Sequence, residues 1–192
     1  MTKITNIATK MAAITLVTLA LLAPGINSNA FSSQGGILLQ ISEIPGQYYD
    51  TTHNGWINVT SFTFVENNVK NPFKPTDTNF QLSFVHHVDS TTPLLGKAVS
   101  SQKIIPVATL QVCQPIGGGG QGCYMNYTLH NLNITSVNSL GGNFFTNTPD
   151  PLAAEESVTM QSCHVDLAYQ PILPNGQKNG PPIITTNFCT VP

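Results

Sequence analysis

Alternation of apolar and polar residues is the feature that most limits what this chain can fold into. In the clearest run, residues 80–85, Phe80, Leu82 and Phe84 occupy every second position, and the spacing recurs in residues 107–112 and 125–130. Successive side chains of a strand point to opposite faces, so each run predicts a strand with one face in a core. Short turn-rich joints separate the runs. The pattern therefore predicts an all-β fold in a single domain.

The alternation changes phase near the C-terminus. Val158 and Met160 fall on even-numbered positions, whereas Val165, Leu167 and Tyr169 fall on odd-numbered ones. One regular strand cannot hold both sets on the same face, because a shift of one residue turns every side chain over. The change predicts a bulge or bend between the two sets, a common feature of barrel corners.

One segment has helical spacing instead. Thr92 is a suitable N-cap, and Pro93 suits the first helical position of a run that ends near Ser101. The apolar residues of this run share one side of the helix: Leu94, Leu95, Ala98 and Val99. We therefore expect one short helix, which must be stabilised by packing because so few turns are marginal alone.

The N-terminal 30 residues have the layout of a secretory signal peptide. A polar start containing Lys3 and Lys10 precedes an uncharged apolar stretch, residues 11–23, and small residues follow up to Ala30. The stretch is too short for a membrane anchor, which needs about 20 apolar residues. We therefore expect cleavage near Ala30, a mature domain of residues 31–192 that is not in the membrane, and a secreted or periplasmic location.

The charge of the chain bears on its partners. The whole chain has seven Lys and Arg against nine Asp and Glu, a net charge of −2. Lys3 and Lys10 lie in the expected signal peptide, so the mature part is more acidic still and contains no Arg. Binding to a phosphate backbone needs a basic surface. Nucleic acid is therefore not an expected partner.

All four cysteines, Cys113, Cys123, Cys163 and Cys189, lie in the mature part. An even number behind a signal peptide predicts two disulfides, for which three pairings are possible. We favour Cys113–Cys123, which flank a glycine-rich loop, and Cys163–Cys189, which lie on the last two predicted strands. A zinc site is the alternative, but the chain has no C-x-x-C pair.

Two His-x-Asp pairs are candidates for catalytic groups, His87 with Asp89 and His164 with Asp166. On a strand the two residues of each pair share a face and can form a hydrogen bond. No catalytic signature accompanies either pair, so structural roles at strand ends are expected.

The single tryptophan, Trp56, is expected to be a core or interface anchor, with sugar stacking as the alternative. We predict no catalytic residue, cofactor or metal ligand.

Several motifs occur in the order found in one known family. The sequence of residues 49–64, YDTTHNGWINVTSFTF, is followed by FQLSFVHHVDSTTPLLGKAVSSQK in residues 80–103. A Gly141-Gly142 joint, an EESVTM run at 155–160 and a Tyr169-Gln-Pro171 end with a glycine-containing hairpin come later. In this order the motifs resemble the Hcp family of type VI secretion. The resemblance implies a β-barrel of two packed antiparallel sheets with one short α-helix, which assembles into hexameric rings that stack into a tube.

The function expected from this resemblance is that of an exported ring- or tube-forming structural protein, acting in or derived from type VI protein secretion. Its partners would be other copies of the chain, protein cargo and components of the secretion machine. We expect the ring contacts at the helix, residues 93–101, and at the strand, residues 56–64. The alternatives are a monomeric exported binding module, such as an adhesin or carbohydrate-binding β-sandwich, and a small secreted hydrolase.

Overall fold

The structure, a computed structural model, describes residues 35–69, 77–117, 120–140 and 154–189. The expected signal peptide, residues 118–119 of the glycine run at 117–120 and the Gly141-Gly142 joint lie outside these residues. Eight strands and one helix follow one another in the order β1 Ile37–Ile41, β2 Ile57–Val69, β3 Asp77–His87, α1 Thr92–Ser101, β4 Ile105–Pro115, β5 Gln121–Leu140, β6 Glu155–Ser162, β7 His164–Tyr169 and β8 Ile183–Phe188.

The strands form one antiparallel sheet that closes into a barrel. The order in the sheet is β4-β1-β2-β3-β6-β5-β7-β8, and an additional pairing of β4 with β5 closes a six-stranded ring. The predicted all-β class, barrel and single helix are confirmed. The resemblance implied two packed sheets, but hydrogen bonds join the strands into one continuous sheet. The reason is β5, whose 20 residues pair with β4 and β7 along one half and with β6 along the other.

The inward faces of the strands form the core predicted from the alternation. Phe80, Leu82 and Phe84 are at most 1% exposed, and Val158 and Met160 are fully buried. The helix adds Leu95 and Ala98 to the same cluster. Burying such side chains contributes roughly 1.5–3 kcal/mol each, so packing on the barrel holds the short helix in place.

The predicted change of phase is a bend at Cys163, between β6 and β7. The buried Ser162 hydroxyl donates to the carbonyl oxygen of His130 (2.6 Å) and accepts from the backbone N–H of His164 (3.1 Å). On the facing strand Asn131 has φ 49°, a left-handed conformation that Asn tolerates better than most residues. Both strands therefore bend together, and β7 leaves the barrel to pair with β8.

The start of the helix differs from the prediction. Thr91, rather than Thr92, is the N-cap residue, so Pro93 is the second helical residue and not the first. The carboxylate of Asp89 accepts from the backbone N–H of Thr91 (2.7 Å) and from its hydroxyl (2.5 Å), which fixes the turn before the helix. The hydroxyl of Thr92 instead donates a hydrogen bond to Glu156 (2.8 Å).

Among the described residues, no helix is long and apolar enough to cross a membrane.

Candidate functional site

Strand β8 lies at the outer edge of the sheet and carries large exposed apolar side chains. Ile183, Ile184 and Phe188 are 67, 63 and 62% exposed. One side of β8 pairs with β7, and in the part of the chain that the structure describes its other side pairs with no strand. Such an edge offers unpaired backbone groups and apolar surface to another chain. It is therefore a candidate for self-association.

The four cysteines are joined as Cys113–Cys123 and Cys163–Cys189. Cys113 and Cys123 face each other across the β4–β5 hairpin. Cys189 directly follows β8, and its bridge fixes the end of that strand to the bend between β6 and β7. That the cysteines are oxidised in the exported protein stays a prediction.

The pair His164–Asp166 lies beside this second bridge and has a third member. The nearest distance from His164 Nε2 to the carboxylate of Asp166 is 3.7 Å, whereas His130 Nε2 lies 2.9 Å from it. The hydroxyl of Thr186 also donates to Asp166 (2.6 Å). The hydrogen bonds from Thr186 and His130 hold the pKa of Asp166 below its usual value. Reasoning from the sequence missed His130, which is distant along the chain and becomes a neighbour only through the β5–β7 register.

The other pair, His87 and Asp89, is not brought together as a dyad. Asp89 is taken up by the turn before the helix, and the nearest carboxylate to His87 Nδ1 is Glu155, at 4.0 Å. Half-exposed pairs at this distance contribute little to stability. The geometry of Asp89 therefore supports the structural role that was expected for this pair.

Trp56 belongs to a small second core on the outer face of the sheet. It is 8% exposed and packs with Leu38, Tyr48 and the Cys113–Cys123 bridge. The ring of His53 meets Trp56 edge-on, with 4.8 Å between centroids. This burial in its own subunit supports the anchor interpretation of Trp56 over a sugar-stacking platform.

His53 is held on both sides of its ring. Nδ1 lies 2.9 Å from Asp50 Oδ2, and Nε2 lies 2.9 Å from the side-chain oxygen of Gln111. Because His53 is also buried, neither nitrogen is open to a substrate. Burial alone would raise the pKa of Asp50, but hydrogen bonds from the side chain of His53 and the backbone N–H groups of Thr52 and His53 outweigh it. The pKa of Asp50 therefore lies well below its ordinary value.

Replacing Asp50 by Asn is expected to lower the free energy of unfolding by about 1–2 kcal/mol at pH 7, because charged hydrogen bonds are lost. The folded-state pKa of Asp50 lies below the unfolded value of about 4, so its stabilisation is present above that value and is lost as pH falls through the folded pKa. In urea unfolding between pH 7 and 2.5, the difference in stability between the two proteins should stay constant down to about pH 4 and narrow below it. The exposed Glu66→Gln on β2 is the control, and a pH-independent gap for Asp50→Asn would contradict this assignment.

A further pair, His86 and Glu156, lies inside the barrel. The two residues face each other across β3 and β6, with His86 Nε2 2.8 Å from Glu156 Oε1, and both side chains are fully buried. Glu156 also accepts from the hydroxyl of Thr92 at the start of α1. The pair therefore links the interior of the barrel to the helix. Because both side chains are 0% exposed, the pair is closed to solvent.

Comparison with known families matches residues 38–172 to the family described as type VI secretion system effector, Hcp. Protein Hcp1 of Pseudomonas aeruginosa is 31% identical over 153 residues, which cover 77% of this chain and 90% of that protein. The crystal structure of Hcp1 from Salmonella typhimurium is 25% identical, with a TM-score of 0.60 over 81% of this chain and 94% of that one. For Hcp2 from the same organism, also 25% identical, the TM-score is 0.56, with coverage of 81 and 97%.

The matched segment contains the helix and, apart from Ile37, all residues of the six strands of the closed barrel, and it ends before β8. The chain therefore belongs to the Hcp family of type VI secretion, a family of structural, tube-forming proteins.

Proposed function

We propose that the mature chain is an exported structural protein that assembles into closed hexameric rings, and that these rings can stack into a tube. The observation that carries this proposal is the match of residues 38–172 to the Hcp family, because it spans the whole barrel with its helix. Components of a secretion machine and protein cargo would be its further partners.

Two physical features support self-association. The edge strand β8 exposes apolar side chains, and head-to-tail contacts of such a surface close into rings when the rotation between copies permits. The few charges of the chain also allow copies to meet without strong repulsion. The exposed side chain of Leu94 on α1, at 37%, offers a second apolar contact on the helix where ring contacts are expected.

Removal of residues 1–30 and a periplasmic or extracellular location complete the proposal. Under this proposal the two His–Asp pairs have structural roles and the protein has no catalytic activity. Support comes from Asp89, which fixes the turn before α1, and from Asp166, which accepts hydrogen bonds from the neighbouring strands β5 and β8.

The mature, oxidised protein is expected to elute at six times the mass of one chain in size-exclusion chromatography with light scattering, and electron micrographs should show rings. Intact mass should place its N-terminus at Phe31. Leu94→Lys should shift the protein to smaller species, because a buried contact would gain an unpaired charge. Leu173→Lys, at 39% exposure and outside β8, α1 and the strand of residues 56–64, is the matched control.

A strict monomer at tens of micromolar would contradict ring formation. The monomeric exported binding module would then be the better account of the barrel.

A further inference from the structure

The cluster of His130, His164 and Asp166 has the composition of a metal site. The two histidines are opposite one another on β5 and β7, and their rings are stacked with 4.1 Å between centroids. This stacking brings both Nε2 atoms to the carboxylate of Asp166. One nitrogen or oxygen of each residue lies within 4.8 Å of the others.

We propose that His130, His164 and Asp166 bind a Zn²⁺ ion on the surface of the barrel. Tetrahedral Zn²⁺ with bonds of about 2.0–2.2 Å separates neighbouring ligand atoms by about 3.3–3.5 Å. His130 Nε2 lies 2.9 Å from Asp166 Oδ2 and His164 Nε2 lies 3.7 Å from Asp166 Oδ1, on either side of that spacing. The side chains would rotate on binding until one carboxylate oxygen and both Nε2 atoms face the ion. Two imidazoles and one carboxylate favour zinc over magnesium or calcium, which prefer oxygen ligands.

Neighbouring residues orient the side chains of these ligands. Thr186 donates to Asp166 Oδ1 (2.6 Å), which orients the carboxylate as an outer-sphere hydrogen bond does in metal sites. The ring of Phe188 stacks on His164, with 4.3 Å between centroids, and fixes its plane. The two histidines and Phe188, but not Asp166, line a surface cavity beside the Cys163–Cys189 bridge, so both imidazole rings border solvent.

The ligands are accessible but not fully solvated. The side chains of His130, His164 and Asp166 are 31, 31 and 33% exposed. Three protein ligands leave a fourth position for water or for a donor from another molecule. The ion would add a link between β5 and β7 at the point where β8 is attached. Its binding is therefore expected to raise the melting temperature of the chain.

The proposal is tested by calorimetric titration of the mature, oxidised protein with ZnCl₂ at neutral pH. Because the disulfides occupy all four cysteine sulfur atoms in this state, thiolates do not compete for the ion. One ion should bind per chain, and MgCl₂ at the same concentration should not bind. His130→Ala and His164→Ala should each weaken binding at least tenfold. Thr186→Val should weaken it about tenfold, as loss of an outer-sphere partner does.

His87→Ala is the control, since His87 is a half-exposed histidine with a carboxylate at 4.0 Å but no second imidazole in its cluster. It should leave zinc binding unchanged. If an alanine variant fails to fold, NMR of the wild-type histidine rings gives the same answer, because only the signals of His130 and His164 should move with zinc. Absence of binding, or binding that survives both alanine substitutions, would overturn the proposal.

Discussion

Replacement of Glu156 by Ala is expected to lower the free energy of unfolding by about 3–5 kcal/mol, enough to unfold a marginal domain. The carboxylate of Glu156 is fully buried, lies 2.8 Å from His86 Nε2 and accepts the hydroxyl of Thr92. Its loss would leave the buried His86 and the partly buried hydroxyl of Thr92 without this contact and open a gap in the core. The start of α1 would lose its link to β6 at the same time.

The chain contains a matched control one residue away. His87 and Glu155 are the next register pair on the same two strands, but their side chains are 36% exposed and lie 4.0 Å apart. Glu155→Ala should therefore cost less than about 1 kcal/mol. Guanidinium unfolding of both variants under identical conditions measures the difference.

A double variant separates the effect of the polar contact between His86 and Glu156 from the effect of the volume that the two side chains fill. His86→Leu with Glu156→Met keeps the volume and removes both polar groups, so it should recover most of the stability lost in Glu156→Ala. If Glu156→Ala and Glu155→Ala cost the same, Glu156 is not the buried partner of His86, and the internal link to the helix would have to be abandoned.

Both members of this pair could have been predicted from the sequence. His86 continues the phase of Phe80, Leu82 and Phe84, and Glu156 continues the phase of Val158 and Met160. The alternation that predicted the core therefore also placed a histidine and a glutamate in it. Since buried charges are nearly always paired, two polar residues on inward faces indicate each other as partners.

Other contacts depend on register, which the alternation alone does not provide. His130 and Asp166 lie on different strands, and their contact requires β5 to pair with β7 rather than with β6 at that level. The same division of β5 joins what was expected to be two sheets into one. The bend at Asn131, where φ is 49°, makes this possible, and asparagine in a strand is only a weak signal for it.

Removal of the Cys163–Cys189 bridge, by Cys163→Ala with Cys189→Ala, is expected to speed hydrogen exchange of the backbone amides of β8 while the barrel stays folded. The bridge closes 26 residues along the sequence and holds the end of β8. In the described part of the chain, β8 is otherwise joined to the sheet by its pairing and side-chain contacts with β7 and by a backbone hydrogen bond from Cys189 to Cys163. In hydrogen exchange, amides of residues 183–188 should lose protection first. Amides of the buried positions Phe80–Phe84 on β3 should keep theirs.

The Cys113–Cys123 bridge is the comparison for this experiment. It spans only 10 residues within the β4–β5 hairpin, where backbone hydrogen bonds already hold the strands together. In the chain-entropy model, loss of the 113–123 bridge costs about 2.7 kcal/mol and loss of the 163–189 bridge about 3.5 kcal/mol. Cys113→Ala with Cys123→Ala should therefore reduce global stability without selective exchange in β8. Equal exchange of residues 183–188 in the two double variants would show that pairing with β7, not the Cys163–Cys189 bridge, holds the edge strand to the barrel.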